Sequence, residues 1–310
     1  MIEINEVSKR FGDVQALDGV TLSIDDGETV GLLGTNGAGK TTLFRLIVGH
    51  MIPDAGEITV AGMTPADGTD VRRQVGYLPE SSGFPPSLTG REVLDFHARI
   101  RTVPAAERAD RVAEVLSTVG LLSAADRAVG GYSNGMRRRL GLATVLVGRP
   151  RVLLLDEPTG GLDPRGVDAF NEAVTRLNAE MDITTVFSSH RLPEVEAVCE
   201  RVVMLHDGRL KADGRVDELR HDAGDTVAIL ARVAEPADLE RIRDRVAGTA
   251  TAMDRIDDRR LRLSCPSDAA FDVLTSLHEA AAVESFEVRA PGLEDAFRRA
   301  VDRQEGVTQA

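Results

Sequence analysis

The segment Leu33–Leu43 reads LGTNGAGKTTL, and Gly34, Gly39, Lys40 and Thr41 in it fulfil the phosphate-loop pattern of two glycines, a lysine and a hydroxyl residue. A short apolar run, Thr29–Leu33, precedes the segment and predicts a buried strand. Thr42–Val48 follows, with apolar residues at helical spacing. Strand, glycine loop and helix, in that order, give the α/β context in which such a loop works. The glycines let the backbone close around a phosphate chain and turn several N–H groups inward. The helix beginning at Lys40 adds the positive end of its dipole. Gly34, Thr35, Asn36, Gly37, Ala38, Gly39, Lys40, Thr41 and Thr42 are therefore candidate phosphate contacts. Lys40 is the expected cation for the terminal phosphates, and the Thr41 hydroxyl the expected ligand for Mg²⁺.

Composition narrows the partners. The 310 residues carry a formal charge of −13, so phosphate repulsion disfavours nucleic acid as a partner. Only Lys9, Lys40 and Lys211 are lysines among the 37 basic residues. An acidic, lysine-poor chain fits either a salt-loving source or a GC-rich genome, and both readings stay open. No apolar run reaches 18 residues, and MIEINEVSKR lacks a signal-peptide core, so a cytoplasmic location is expected. Cys199 and Cys265 are far apart and in no metal-ligand spacing, which predicts reduced structural thiols.

Along the chain, Ile2, Ile4 and Val7 begin one predicted strand, and Val20, Leu22 and Ile24 alternate in the next. Phe11, in a loop, can stack on a purine base or be a half-buried core residue. Gly56–Ala61 and Arg73–Leu78 predict further strands. After the Pro/Gly/Ser-rich stretch YLPESSGFPPSLTG, Thr89 with Glu92 forms a capping-box pattern. Residues 90–148 then read as mostly helical, ending in a helix N-capped by Ser133 on which Arg137, Arg138 and Arg139 form a solvated face. Val152–Leu155 is an unbroken apolar run that predicts a strand buried on both faces, ending in Asp156–Glu157. Carboxylates at such a strand's carboxyl end lie where α/β sheets hold ligands. Asp156 is placed to bind Mg²⁺ through water, and Glu157 to polarise an attacking water. Pro164 suits a helix's first turn. Ile183–Phe187 predicts another buried strand, ending at Ser188–Ser189–His190. A new pattern follows residue 225: strands at Thr226–Val233, Thr249–Ile256, Leu261–Cys265 and Ala282–Val288, and helices at Pro236–Val246, Ser267–Ala280 and Leu293–Val301. The order βαββαβ with a final helix predicts a small ferredoxin-like annex without a chemical motif.

With these motifs in hand, the chain over residues 1 to about 220 resembles the ATPase subunit of an ABC transporter. GTNGAGKT matches the first phosphate motif, VLLLDEP the second, and YSNGM at 132–136 stands at the signature position. His190 matches the switch histidine, Asp163 the D-loop aspartate, Phe11 the adenine-stacking aromatic, and Glu80 the Q-loop position. The sequence departs from the family where Glu80 replaces a glutamine, and where Asn134 and Met136 replace a glycine and a glutamine; Ser133 and Gly135 are retained. The resemblance implies a P-loop NTPase of ABC type: a RecA-like core with an antiparallel β subdomain and a helical subdomain at about 89–148. This nucleotide-binding domain spans 1–222, and the C-terminal α+β domain spans 225–310. ATP and Mg²⁺ are the implied cofactors. Glu157, His190 and Glu80 are the implied catalytic residues, with Thr41, Asp156 and Glu80 near the metal. Two copies would sandwich ATP between the phosphate loop of one and Ser133 and Gly135 of the other, and their closure would move a membrane permease. The implied location is then the inner face of the cell membrane, held through that permease. YLPE, SLTGREVLDF, SSHRLPEVEAVCERV and the tail PGLEDAFRRAV are most similar to the exporter-type (ABC-2) subfamily. Within it, the combination resembles the ATPase of the copper-site assembly system for nitrous oxide reductase. Drug, lipid or sodium export is the alternative, as is a soluble regulatory ATPase.

Overall fold

Alternating apolar residues start the chain as β1 (Ile2–Phe11) and β2 (Val14–Ile24), and the strand before the glycine loop is β3 (Thr29–Leu33). In this computed structural model residues 1–68, 70–222, 226–236, 238–246, 250–280 and 283–289 are described. The chain divides into two units, Met1–Arg215 and Val216–Ala310. The expected helix Leu293–Val301 and the tail PGLEDAFRRAV lie outside the described residues.

The first unit continues with α1 (Lys40–Ile47), β4 (Ala55–Val60), α2 (Asp70–Gln74) and β5 (Val75–Leu78). Helices α3 (Gly90–Ile100), α4 (Arg108–Thr118) and α5 (Asn134–Leu146) follow. The unit then alternates through β6 (Val152–Leu155), α6 (Pro164–Glu180), β7 (Thr184–Ser189), α7 (Leu192–Val198), β8 (Arg201–His206) and β9 (Arg209–Arg215). The fifth strand starts at Val75 and not at Arg73, because Asp70–Gln74 forms a helical turn that buries Val71.

Strands β2, β1 and β4 form an antiparallel sheet in that order. A second sheet runs β5-β6-β7-β3-β8-β9, parallel except for the antiparallel edge β9. All four residues of β6 are fully buried, as a strand flanked by parallel neighbours and covered on both faces must be. Each such aliphatic side chain contributes roughly 1.5–3 kcal/mol on burial. Helices α3, α4 and α5 form the helical part. The capping box at its start is complete, with the Thr89 hydroxyl accepting from the Glu92 N–H and the Glu92 carboxylate accepting from the Thr89 N–H. These are the elements of a P-loop NTPase of ABC type: a parallel core, an antiparallel β subdomain and a helical subdomain.

The second unit contains α8 (Val216–Asp222), β10 (Thr226–Val233), α9 (Asp238–Val246), β11 (Ala252–Arg255), β12 (Arg260–Pro266), α10 (Ala270–Ala280) and β13 (Val283–Arg289). Its antiparallel sheet has the order β11-β12-β10-β13. Counted within the unit this is 4-1-3-2 read from the other edge, the ferredoxin-like arrangement. Ile229, Val233, Leu261 and Leu263 of the sheet pack with Ile242, Val273 and Leu277 of the helices. Both cysteines are free and buried, as expected.

Candidate active site

Four neighbouring parallel strands deliver the site from one edge of the sheet. Register places Leu78 beside Leu155, Leu155 beside Phe187, and Leu33 beside Ser189. The residues that follow these ends are therefore close in space, although up to about half the chain separates them. Gly34 continues from β3, Glu80 from β5, Asp156–Glu157 from β6 and His190 from β7.

The glycine loop takes the shape a phosphate cradle needs. Gly39 has φ +108° and caps α1 without any side-chain hydrogen bond, so the first N–H groups of the helix stay available. A Cβ at Gly34 would lie 2.4 Å from the Leu205 carbonyl oxygen, so only glycine fits there. Lys40 is 6% exposed, and its Nζ donates to the carbonyls of Gly34 at 2.6 Å and Thr35 at 3.2 Å. A cleft of about 400 Å³ opens over the loop. Its walls include Thr35–Thr42, Glu80, Glu157 and His190, together with Val14 and Ala16.

Glu157 is the electrostatic centre of the cleft. Its Oε2 lies 2.8 Å from His190 Nδ1, and its Oε1 lies 3.1 Å from Lys40 Nζ. A carboxylate accepts, so His190 carries its proton on Nδ1 and leaves Nε2 toward other partners. The Lys40 contact is an ion pair off the hydrogen-bond axis, and Oε1 is a buried oxygen without a hydrogen-bond partner. Glu157 also has φ +43°, in the left-handed region. Both ends of its peptide are held: its N–H donates to Ser188 Oγ at 2.9 Å, and its carbonyl accepts from Arg138.

Asp156 sits behind this front, 1% exposed. Its Oδ1 accepts from Ser188 Oγ at 3.0 Å and its Oδ2 from the Tyr77 hydroxyl at 3.1 Å. Burial, and then the Asp156 charge, raise the Tyr77 pKa far above that of a free phenol, so Tyr77 remains a donor. Among the described residues no three His, Cys, Asp or Glu side chains are placed to hold a metal by themselves. Thr41 lines the cleft and Asp156 lies behind it, outside the lining; a hydroxyl with a carboxylate reached through water is a donor set that suits Mg²⁺, which keeps most of its waters and phosphate ligands.

Other expected residues lie elsewhere. Phe11 is 45% exposed at the end of β1, with Lys9 Nζ 5.9 Å from its ring centre, and does not line the cleft. Ser133 and Asp163 are N-caps, of α5 and α6, accepting from the N–H groups of Met136 and Gly166. A Cβ on Gly135 would stand 3.6 Å from the Gly166 Cα, so these two helix starts are neighbours outside the cleft.

The expectation that Arg137, Arg138 and Arg139 form a solvated face is overturned. Arg138 is 7% exposed, and Arg137 and Arg139 are half-buried. Helical periodicity turns Arg138 toward the loops after β5 and β6, where backbone carbonyls take all its donors. Burial pushes its guanidinium down to about 10, against the opposing charges of Asp156 and Glu80, so it is protonated at neutral pH. Arg137 and Arg139 donate to the carbonyls of Tyr132 and Val119. The sequence reading also missed Glu194, Thr159 and Tyr77, since none stands in a motif pattern.

A family model described as ABC transporter matches residues 17–160. The daunorubicin resistance ATP-binding protein DrrA2 of Streptomyces coeruleorubidus is 34% identical over 316 aligned residues, covering 100% of this chain and 97% of that one. The chain belongs to the ATP-binding proteins of ABC transporters, a family of ATPases. Among solved structures, cbiO1 from Clostridium perfringens, part of the ABC transporter complex cbiONQ, is similar with TM-score 0.66 and 29% identity. That match covers 71% of this chain and 90% of the other. The ATP-binding cassette MJ0796, in a dimeric post-hydrolysis state with ADP and Pi, is similar with TM-score 0.62 and 26% identity, covering 69% of this chain and 98% of that one.

Proposed function

We propose that this chain is the energy-coupling ATPase of an exporter-type transporter, working as a pair of copies that drive a separate membrane permease. The observation that carries the hydrolytic part is Glu157 Oε1, a buried carboxylate oxygen without a hydrogen-bond partner in the wall of the phosphate cleft. Once Lys40 leaves it for the phosphates, such an oxygen can accept a proton from water attacking the terminal phosphate. His190 orients the carboxylate from its far side. Lys40 exchanges its loop carbonyls and the Glu157 charge for phosphate oxygens when ATP enters. Phe11, with an accessible ring, is the partner for the adenine. Bound Mg²⁺, held by Thr41 and by Asp156 through water with Glu80 nearby, supplies charge neutralisation of the phosphates.

Two copies follow from where the remaining residues stand. Ser133, Gly135 and Asp163 lie outside the chain's own cleft, which fits their use on the ATP of a second copy, and the similar MJ0796 cassette is dimeric. The permease is argued from a second, more apolar groove of about 620 Å³ beginning beside Glu80, lined by Pro79, Phe84, Pro85, Leu88 and the 59% exposed Phe96. No described helix is long and apolar enough to cross a membrane, so a separate permease would hold the chain at the membrane's inner face. The likeness to a drug-resistance protein along its whole length favours drug export as the transported class. Copper-site assembly rests on the motif combination alone.

The test is Glu157→Gln. ATP-dependent dimerisation should persist while hydrolysis falls by at least ~10²-fold. Robust turnover in that variant would remove Glu157 from its role. Copurification with a multi-helix membrane protein tests the coupling.

A further inference from the structure

All five N–H donors of Arg138 are engaged, and every acceptor is a backbone carbonyl. Nε donates to Pro158 at 2.5 Å, Nη1 to Pro79 at 2.7 Å and Glu80 at 2.9 Å, and Nη2 to Asp156 at 3.0 Å and Glu157 at 3.1 Å. The acceptors come from two short segments, 79–80 and 156–158. These carry Glu80, Asp156 and Glu157, the acidic groups of the nucleotide site. Arg138 itself projects from the first turns of α5, the helix that Ser133 caps.

This pattern exceeds what packing requires. Burying a guanidinium is costly unless its charge and donors are satisfied, and no carboxylate oxygen meets Arg138 directly. An apolar side chain would fill the space without that cost. What the planar fork adds is geometry: a rigid set of donors that fixes several carbonyls relative to one another. One of these carbonyls belongs to Glu157, whose backbone is in the left-handed region and needs support from its surroundings. Removal of the fork would leave the Glu157 backbone held by Ser188 at its N–H and by the Gly160 N–H at its carbonyl, without the link to α5.

We propose that Arg138 is a positioning residue that locks the Glu80 and Glu157 loops to the start of helix α5. One side chain would thereby set the general base within a copy and aim that copy's Ser133 and Gly135 at the ATP of its partner. Arg138 does not touch the nucleotide; it acts through the backbone that carries Glu157. The proposal rests on the hydrolytic role of Glu157 given above.

The experiment compares Arg138→Lys, Arg138→Gln and Glu157→Gln in the full chain with steady-state ATPase kinetics, nucleotide binding and thermal melting. Lysine keeps the charge but offers three donors from one point, and glutamine offers two without charge. A misplaced base costs one to two orders of magnitude in rate, so kcat should fall ~10–100-fold in Arg138→Lys, and further in Arg138→Gln. KM for ATP should stay within about threefold of the parent, because the cleft-lining residues are unchanged. With Glu157→Gln in the background, ATP-dependent dimerisation should also weaken in Arg138→Lys. A folded Arg138→Lys with parental kcat overturns the proposal. So do kcat and KM effects that merely track lost folded protein, and failure of both variants to fold, since each assigns Arg138 to stability alone. Persistent turnover in Glu157→Gln would instead overturn the underlying role of Glu157, which separates the two failures.

Discussion

Glu194 offers a quantitative check on how the switch segment is held. This carboxylate on α7 is 5% exposed. Its Oε2 accepts from Thr159 Oγ1 at 2.5 Å and Ser189 Oγ at 2.9 Å, and its Oε1 from Arg191 Nη1 at 2.7 Å. Thr159 and Ser189 are 2% and 0% exposed, so neither hydroxyl has water as an alternative. Glu194→Ala leaves two buried hydroxyls without their acceptor, at about 1–3 kcal/mol each. Relief of the buried charge returns part of this, so a net loss of ~2–4 kcal/mol is expected. For a unit of this size ~3 kcal/mol lowers Tm by roughly 6–12 °C. Glu194→Gln keeps one carbonyl oxygen for both hydroxyls and loses chiefly the Arg191 pair, whose arginine is mostly exposed. Its loss should be ~1 kcal/mol. The chain has two tyrosines, Tyr77 and Tyr132, and no tryptophan, and both tyrosines lie in the first unit. Tyrosine fluorescence therefore follows that unit alone during heating. An alanine variant melting within about 2 °C of the parent, or a glutamine variant as unstable as the alanine one, would refute the reasoning.

Gly39→Ala places a Cβ 2.5 Å from the Ala16 carbonyl oxygen at φ +108°, so the loop must shift and ATP affinity, read by calorimetry, should fall more than ~10-fold; parental affinity would contradict a phosphate cradle at this loop. His97, half-buried on α3, has its pKa lowered below the ordinary 6.5 by burial and then by the Arg101 charge. The unfolded chain therefore takes up a proton at His97 before the folded one does, and stability is present above about pH 6.5 and lost as pH falls through that window. Urea midpoints of the first unit at pH 7.5 and 5.5 should differ less in His97→Gln than in the parent, and an equal difference would count against this assignment.

Much of the site was legible because its chemistry is local in sequence. The phosphate loop declares itself through glycine spacing within one turn, and β6 through four consecutive apolar residues. Thr89 and Ser133 were readable as N-caps because a cap is a contact between residues two or three apart. The ferredoxin-like order was readable from alternation and turn residues. Arg138 was misread because three consecutive arginines look alike in one dimension. Which of them is interior depends on how α5 lies against loops 18 to 59 residues away.

What the sequence by itself determined is the inventory: a phosphate cradle, a pair of carboxylates, a histidine and a signature helix, each formed by short-range propensity. Only the tertiary structure decided their relations. Parallel pairing of β5, β6, β7 and β3 brings four strand ends to one edge, setting the Glu157 carboxylate between Lys40 and His190 with its Oε1 buried and without a hydrogen-bond partner. Long-range packing likewise selected Arg138 and Glu194 to hold the loops. A buried polar group takes whichever backbone or hydroxyl partners the fold brings within 3 Å, and sequence spacing does not encode those distances.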